Sequence, residues 1–333
     1  MMTKRQRFEW LLFALTATIF CLVLAFRPIP TIDSDNDTGR YMHMLHLYCA
    51  GSVGEKIANR AISFAMFNAI TSPACLFKSD GFFLFEVAAF LPLMFLLFAK
   101  WRKGTFFWAC SLMFSVFGLE LMTNAMRQSF AMLIFFGAIA LFQRNRFMAL
   151  LLGLIAVVAH TSTVAFFPFL LWIIGVRLSK KEKLMGMVGL LSLGIVISLA
   201  FYASIIESIQ SLNEWGMFFG EMYSEELTPP FILFMTLPLY WVYGVRYFFV
   251  RNNISSDERK GVVYSTGLLL ICFFLFPSIT YRFAICAVAL QIFLVTHSET
   301  PDLKAGRYAL IGLLVHLFVM LAVSNHFAVL IHG

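Results

Sequence analysis

Charge is scarce in this sequence. Asp, Glu, Lys and Arg make up 13% of its 333 residues, where a soluble domain carries about 25%. The signatures of nucleotide handling and soluble-type hydrolysis are missing as well: there is no GxxxxGK[ST], GxGxxG, HExxH or GxSxG. No CxxC occurs, which leaves zinc-cluster and thioredoxin-like redox chemistry without support. An internal repeat of the transporter kind is not visible either. Together these absences exclude an ordinary cytosolic enzyme, a disordered chain and a secreted disulfide scaffold. What is present is apolar. Hydrophobic residues reach 60%, Phe alone numbers 39, and the mean hydropathy is +0.83. The composition is that of an all-α, polytopic membrane protein, read as a single integral membrane domain over 1–333.

Apolar runs at about 8–26, 81–99, 105–122, 128–142, 147–160, 163–178, 184–202, 230–250, 261–276, 281–297 and 308–331 predict eleven transmembrane helices. The first resembles a signal peptide, with Lys4, Arg5 and Arg7 ahead of it. It is followed by Arg27-Pro28-Ile29-Pro30 rather than a small-residue cleavage site, so an uncleaved helix is expected. The 57–77 stretch repeats Ile57, Ala61, Ala65 and Ala69 at helical spacing, with Asn59, Arg60 and Ser63 between them. It predicts an amphipathic helix lying on the outer membrane surface.

Charge sets the orientation. With eleven spans and the N-terminus inside, eighteen of the 25 Lys and Arg residues fall on the cytoplasmic side and seven outside. A crossing at 57–77 would invert every later loop, against the positive-inside rule. The net charge of +7 is therefore a membrane signature rather than a sign of nucleic acid, and no nucleic-acid partner is expected. Cys21, Cys110, Cys272 and Cys286 lie in apolar runs and read as packing residues. Cys49 and Cys75 share the outer segment 27–80, where a disulfide is possible.

The residues that topology does not explain collect on the outer face. Arg127 and Arg282 stand at the outer ends of apolar helices, where a guanidinium is costly unless it snorkels or pairs. Such a group either anchors its helix at the headgroups or offers bidentate donors to phosphate oxygens. His160, followed by Thr161 and Ser162, either caps its helix or accepts or orients a hydroxyl proton. Asn124 and Gln128 flank Arg127, and Tyr281 precedes Arg282. The first outer loop carries Asp33, Asp35, Asp37, Arg40 and Tyr41. Its alternating carboxylates fail as a calcium loop, because Thr38 and Met44 stand where Gly and Glu are needed. His43 and His46 are three apart but lack a third ligand, so no metal and no cofactor is expected. The second outer loop, 203–229, carries Glu207, Glu214, Glu221, Glu225 and Glu226 among Trp215, Phe218, Phe219 and Tyr223. It reads as an amphipathic surface loop or as a glycan-binding one, aromatic faces stacking on sugar rings and carboxylates holding hydroxyls.

The stretch from Asn124 through Arg127, Gln128 and Ala131, the basic turn Gln143-Arg144-Asn145-Arg146, and Ala159-His160-Thr161-Ser162 together resemble the EpsG-like, Wzy-type polysaccharide polymerases, whose pattern is Arg-Gln-x-x-Ala, a basic inner turn, and His-x-Ser about thirty residues on. Asp37-Thr38-x-x-Tyr41 and Tyr281-Arg282-Phe283 are similar to further parts of it. The resemblance implies a GT-C-like inner-membrane glycosyltransferase that moves a glycan from undecaprenyl pyrophosphate onto a lipid-linked repeat unit at the periplasmic face, building O-antigen, capsule or exopolysaccharide without a nucleotide sugar. Arg127 and Arg282 would hold the pyrophosphate and His160 would handle the hydroxyl proton, with Asp37 or a Glu of 203–229 as the alternative base. Asp37, Arg40, Tyr41, Asn124, Gln128, Ser162, Tyr281, Glu214, Trp215 and Glu221 are the candidate substrate contacts. A chain-length regulator is a possible partner besides the lipid-linked oligosaccharide and the bilayer. The rivals are an O-antigen ligase, whose usual long outer loop is missing here, a lipid-linked oligosaccharide flippase, for which His316 is the mid-span candidate, and a membrane acyltransferase.

Overall fold

The computed structural model describes residues 2–27, 37–51, 62–76, 80–175, 229–275 and 277–323. All of its regular structure is helical. The helices are α1 (Lys4–Ala25), α2 (Asp37–Ala50), α3 (Ile62–Thr71), α4 (Asp80–Ala88), α5 (Phe90–Phe98), α6 (Thr105–Met113), α7 (Val116–Thr123), α8 (Met126–Leu141), α9 (Arg146–Ala159), α10 (Phe167–Gly175), α11 (Pro229–Val250), α12 (Ser256–Leu275), α13 (Pro277–His297) and α14 (Leu303–Val323). Short 3-10 turns run at Ser72–Leu76, Thr161–Phe166 and Arg251–Asn253.

Among the described residues, four stretches are long and apolar enough to cross a membrane: Lys4–Ala25, Leu233–Asn253, Thr280–His297 and Leu303–Ala322. The bent pair α6–α7 makes a fifth if counted as one span. The chain is therefore a multi-pass membrane protein. Helices occupy the predicted apolar runs within the described residues, but several are short, and the expected span 184–202 lies outside the described residues. Large apolar side chains stand exposed along α1 and α14, among them Phe8, Leu15, Val23, Ile311 and Phe318. A face of that kind suits hydrocarbon, not water.

Two of the runs expected to be continuous are broken, each for a readable reason. In 81–99 the helix is interrupted at Ala89. Pro92 lacks the amide that would bond the Ala88 carbonyl, and the Cys21 thiol donates to that carbonyl instead, at 3.4 Å. In 105–122 the chain bends by 64° between α6 and α7. Ser115 caps the second half, its Oγ accepting from the Gly118 amide at 3.1 Å and donating to the Leu112 carbonyl at 2.6 Å. A Cβ at Gly118 would lie 2.0 Å from the Leu112 oxygen, so the bend admits no side chain there.

The most enclosed span is α13, with 78% of its apolar window buried against 33–39% for the other three. It packs on α6, α7, α8, α11 and α12, and Phe293 stacks on Phe136 of α8 at 4.3 Å. The two ends of the bundle differ in kind. At one end Glu9 accepts from the Gly104 amide at 3.1 Å and Arg102 reaches the Glu299 carbonyl. There too the fully buried Arg246 guanidinium binds the Glu258 carboxylate at 2.8 Å, Ser298 Oγ at 2.9 Å and the Thr300 carbonyl. Glu258 also closes a capping box with Ser255 at the start of α12. These are the loops expected on the cytoplasmic side, and they meet one another.

The 57–77 segment behaves as a short helix rather than a span. α3 has ten residues and continues into the 3-10 turn Ser72–Leu76. Gly81 sits so close to the end of α1 that a Cβ would be 2.8 Å from the Ala25 carbonyl. The chain thus leaves α1 and enters α4 at the same end of the bundle, as a segment that does not cross requires. Residues 52–61 of the expected amphipathic helix lie outside the described residues.

Arg246→Ala would strand the Glu258 carboxylate in a dry site, at a cost of about 3–5 kcal/mol. A matching fall in the melting temperature of the purified protein in detergent is expected; an unchanged melting temperature would show the pair to be dispensable.

Candidate functional site

The opposite end of the bundle is built by α7, α8, the α9–α10 link and the start of α13. Helix α7 ends at Asn124, whose amide bonds the Glu120 carbonyl at 3.0 Å, and α8 restarts within two residues. This abrupt restart sets Arg127 in the first turn of α8, half-buried, with Gln128 behind it and buried. Gln128 Nε2 donates to the Arg282 carbonyl at 3.1 Å and contacts Cys286 Sγ at 2.8 Å. One amide therefore ties the helix of Arg127 to the helix of Arg282. That position makes Gln128, a substrate-contact candidate from the sequence, a clamp between the two arginine-bearing helices.

His160 stands in the link after α9. Its Nδ1 accepts from the Ser162 amide at 3.2 Å and lies 2.8 Å from Ser162 Oγ. Burial, then the positive charges of Arg127 and Arg282, push its pKa down to about 3. The imidazole is therefore neutral, and the effect of both guanidiniums on it shows that Arg127, His160 and Arg282 share one neighbourhood. Ser162 serves here by orienting the histidine.

Two further groups complete the cluster. The Tyr281 hydroxyl donates to Glu120 Oε1, and Glu120 is almost wholly buried. Arg27, at the end of α1 and likewise buried, faces Glu120. Its pKa falls to about 10 through burial, partly opposed by that carboxylate. Neither Glu120 nor Arg27 stands out in the sequence as a site residue. The available signal is that each is a charge at the outer edge of an apolar run, the feature that marks Arg127 and Arg282.

Tyr41 of α2 lies under the Arg127 guanidinium, with Cζ 5.7 Å from the ring centroid. It packs in turn on Phe67 of α3 at 5.4 Å. The possible disulfide is formed: Cys49 of α2 pairs with Cys75 of the 3-10 turn before α4, their Cα atoms 5.7 Å apart. It staples the helix that carries Tyr41. The backbone of Asp37 and Arg40 belongs to α2, but their side chains lie outside the described residues, as do Asp33, Asp35, Glu214, Trp215 and Glu221. His43 and His46 are exposed on α2. Among the described residues no three His, Cys, Asp or Glu groups come together as a metal would need. His316, the mid-span candidate for transport, is stacked between Phe117 and Phe234 and meets the Phe234 carbonyl at 3.3 Å.

The fold and this cluster define a multi-pass helical membrane protein with two guanidiniums and a neutral imidazole gathered at one end. The EpsG family pattern matches residues 10–330, and the chain belongs to that family, which is associated with exopolysaccharide biosynthesis. Neither the curated proteins nor the solved structures contain a match to it.

The disulfide can be checked by counting thiols. Of six cysteines, four are free, so maleimide labelling of denatured, non-reduced protein is expected to add four tags and prior reduction to raise the number to six. Six tags without reductant would show that the pair is open.

Proposed function

We propose that the protein is a polysaccharide polymerase that transfers a glycan from a polyprenyl pyrophosphate onto a lipid-linked repeat unit. The observation that carries this reading is the convergence of Arg127, Arg282 and neutral His160 at one end of the bundle in an EpsG-family chain. Two half-buried guanidiniums, held in register by Gln128, suit a leaving group that gains charge as the glycosidic bond breaks. A hydroxyl of the acceptor sugar attacks the anomeric carbon from the face opposite the pyrophosphate, most simply with inversion. Arg127 and Arg282 neutralise the departing oxygens, and Tyr41 supports Arg127 from beneath.

The reading includes eleven spans in a GT-C-like arrangement, the N-terminus in the cytoplasm and the cluster at the periplasmic face of a bacterial inner membrane. Three things support that orientation: the basic loops gather at the far end, the 27–80 segment returns to the end where it left, and a disulfide in that segment suits an oxidising compartment. The acceptor glycan would meet the carboxylates and aromatic rings of the 203–229 loop.

Arg127→Ala and Arg282→Ala, each at wild-type protein level in a host lacking the gene, are expected to abolish long surface glycan, a loss of at least about 10²–10³ in rate. The check is a gel of surface glycolipids. A full-length ladder from either variant removes that arginine from the mechanism, and a ladder untouched by deletion of the gene overturns the function itself. Loss of even the single-repeat band, with lipid-linked chains accumulating, would show an O-antigen ligase instead.

A further inference from the structure

We propose, building on the polymerase reading, that the proton of the attacking hydroxyl passes to a Tyr281–Glu120 relay, and that His160 acts only as a hydrogen-bond donor through Nε2–H. The argument about His160 rests on a backbone amide. An amide N–H can only donate, and the one at Ser162 points at Nδ1 from 3.2 Å. Nδ1 must then be the unprotonated nitrogen, so Ser162 Oγ, 2.8 Å away, donates to it as well. A neutral imidazole holds one proton, and here it sits on Nε2. The ring is neutral because it is buried beside two guanidiniums. Its outward nitrogen has no lone pair with which to take a proton, and among the described residues nothing else accepts from it. It can donate to an oxygen that gains negative charge, which in this reaction is the leaving phosphate oxygen.

The proton therefore needs another destination. Among the carboxylates whose side chains are described, Glu120 is the one bonded to the arginine-bearing helix α13, through the Tyr281 hydroxyl next to Arg282. Glu120 is 1% exposed, too enclosed to touch a sugar, whereas Tyr281 is half-buried. The phenol therefore stands between substrate and carboxylate. Arg27 faces Glu120 and places a positive charge beside the carboxylate. The step balances as follows. The acceptor oxygen forms its bond to the anomeric carbon, and the bond from that carbon to the phosphate oxygen breaks, its electron pair leaving with the pyrophosphate. The hydroxyl proton moves to the Tyr281 oxygen as the phenolic proton moves to Glu120, which later loses it to water. The Nε2–H of His160 stays on the ring throughout. Tyr281 is thus a catalytic residue, and Glu120 works through it.

The test compares isosteric variants by polymer formed per unit of protein in the complemented deletion host, with detergent melting as the folding control. Gln at 160 offers an N–H donor near the Nε2 position but is no base. His160→Ala is expected to lose about 10²–10³ of activity, and His160→Gln to recover to within about tenfold of wild type. Tyr281→Phe and Glu120→Gln are each expected to lose about 10²–10⁴. Nitrogen-15 NMR of the intact protein in nanodiscs should place the His160 proton on Nε2, a readout that survives if any variant misfolds. A proton on Nδ1, or His160→Gln as inactive as His160→Ala while folded, would overturn the donor role. Wild-type activity in Tyr281→Phe or Glu120→Gln would overturn the relay. Failure of the polymerase reading is told apart by Arg127→Ala: if that variant makes a normal ladder, the site is not the transferase centre, whatever the tautomer.

Discussion

The arrangement of this end of the molecule depends on one buried amide. Gln128 sits in the first turn of α8 and bonds the backbone of α13 at Arg282. That link joins the two helices that carry Arg127 and Arg282. Both guanidiniums disfavour the charged form of His160, and a low-dielectric setting makes that effect larger. The uncharged side-chain contact holds the helices together while both arginines stay half-buried. Charge is thus concentrated by neutral groups, and the same holds below Arg127, where the Tyr41 ring supports the cation without cancelling it.

The remainder of the fold supplies that clamp with rigid parts. Helix α13 is enclosed on nearly every side, so Arg282 belongs to the most buried of the candidate spans among the described residues. The bend at Ser115 and Gly118 turns α7 so that Glu120 reaches Tyr281. At the far end, Arg246 and Glu258 lock the α11–α12 and α13–α14 connections together. Each of these devices places a polar group in an apolar chain, and each has a named partner.

How much of this was legible in the sequence follows from what each signal measures. The apolar runs located the helices, because hydropathy reports burial or lipid contact directly. They did not show the breaks at Ala89 and Ser115, since hydropathy is blind to backbone hydrogen bonds; Pro92 and the Ser115–Gly118 pair carried that information. Arg127, Arg282 and His160 stood out as polar groups where topology gave no reason for them, and the structure brings them together. The clamp formed by Gln128 was not legible, because a sequence shows which residue is present but not which way its amide points. Glu120 was passed over because it lies in α7, far from the motif in the chain and joined to it only through Tyr281. The side chains of Asp37 and Arg40, and the 203–229 loop with Glu214, Trp215 and Glu221, lie outside the described residues.

The close approach of Gly81 to the Ala25 carbonyl makes the 27–80 segment an excursion with both ends pinned at one place. Its length answers to its own packing and its disulfide, not to the thickness of the bilayer. Substitution or insertion within it alters what lies against Arg127 while the helices bearing the arginines keep their positions. The 27–80 segment and the helices bearing the arginines are thereby separable stretches of the chain, so that one can diversify while the other is held constant.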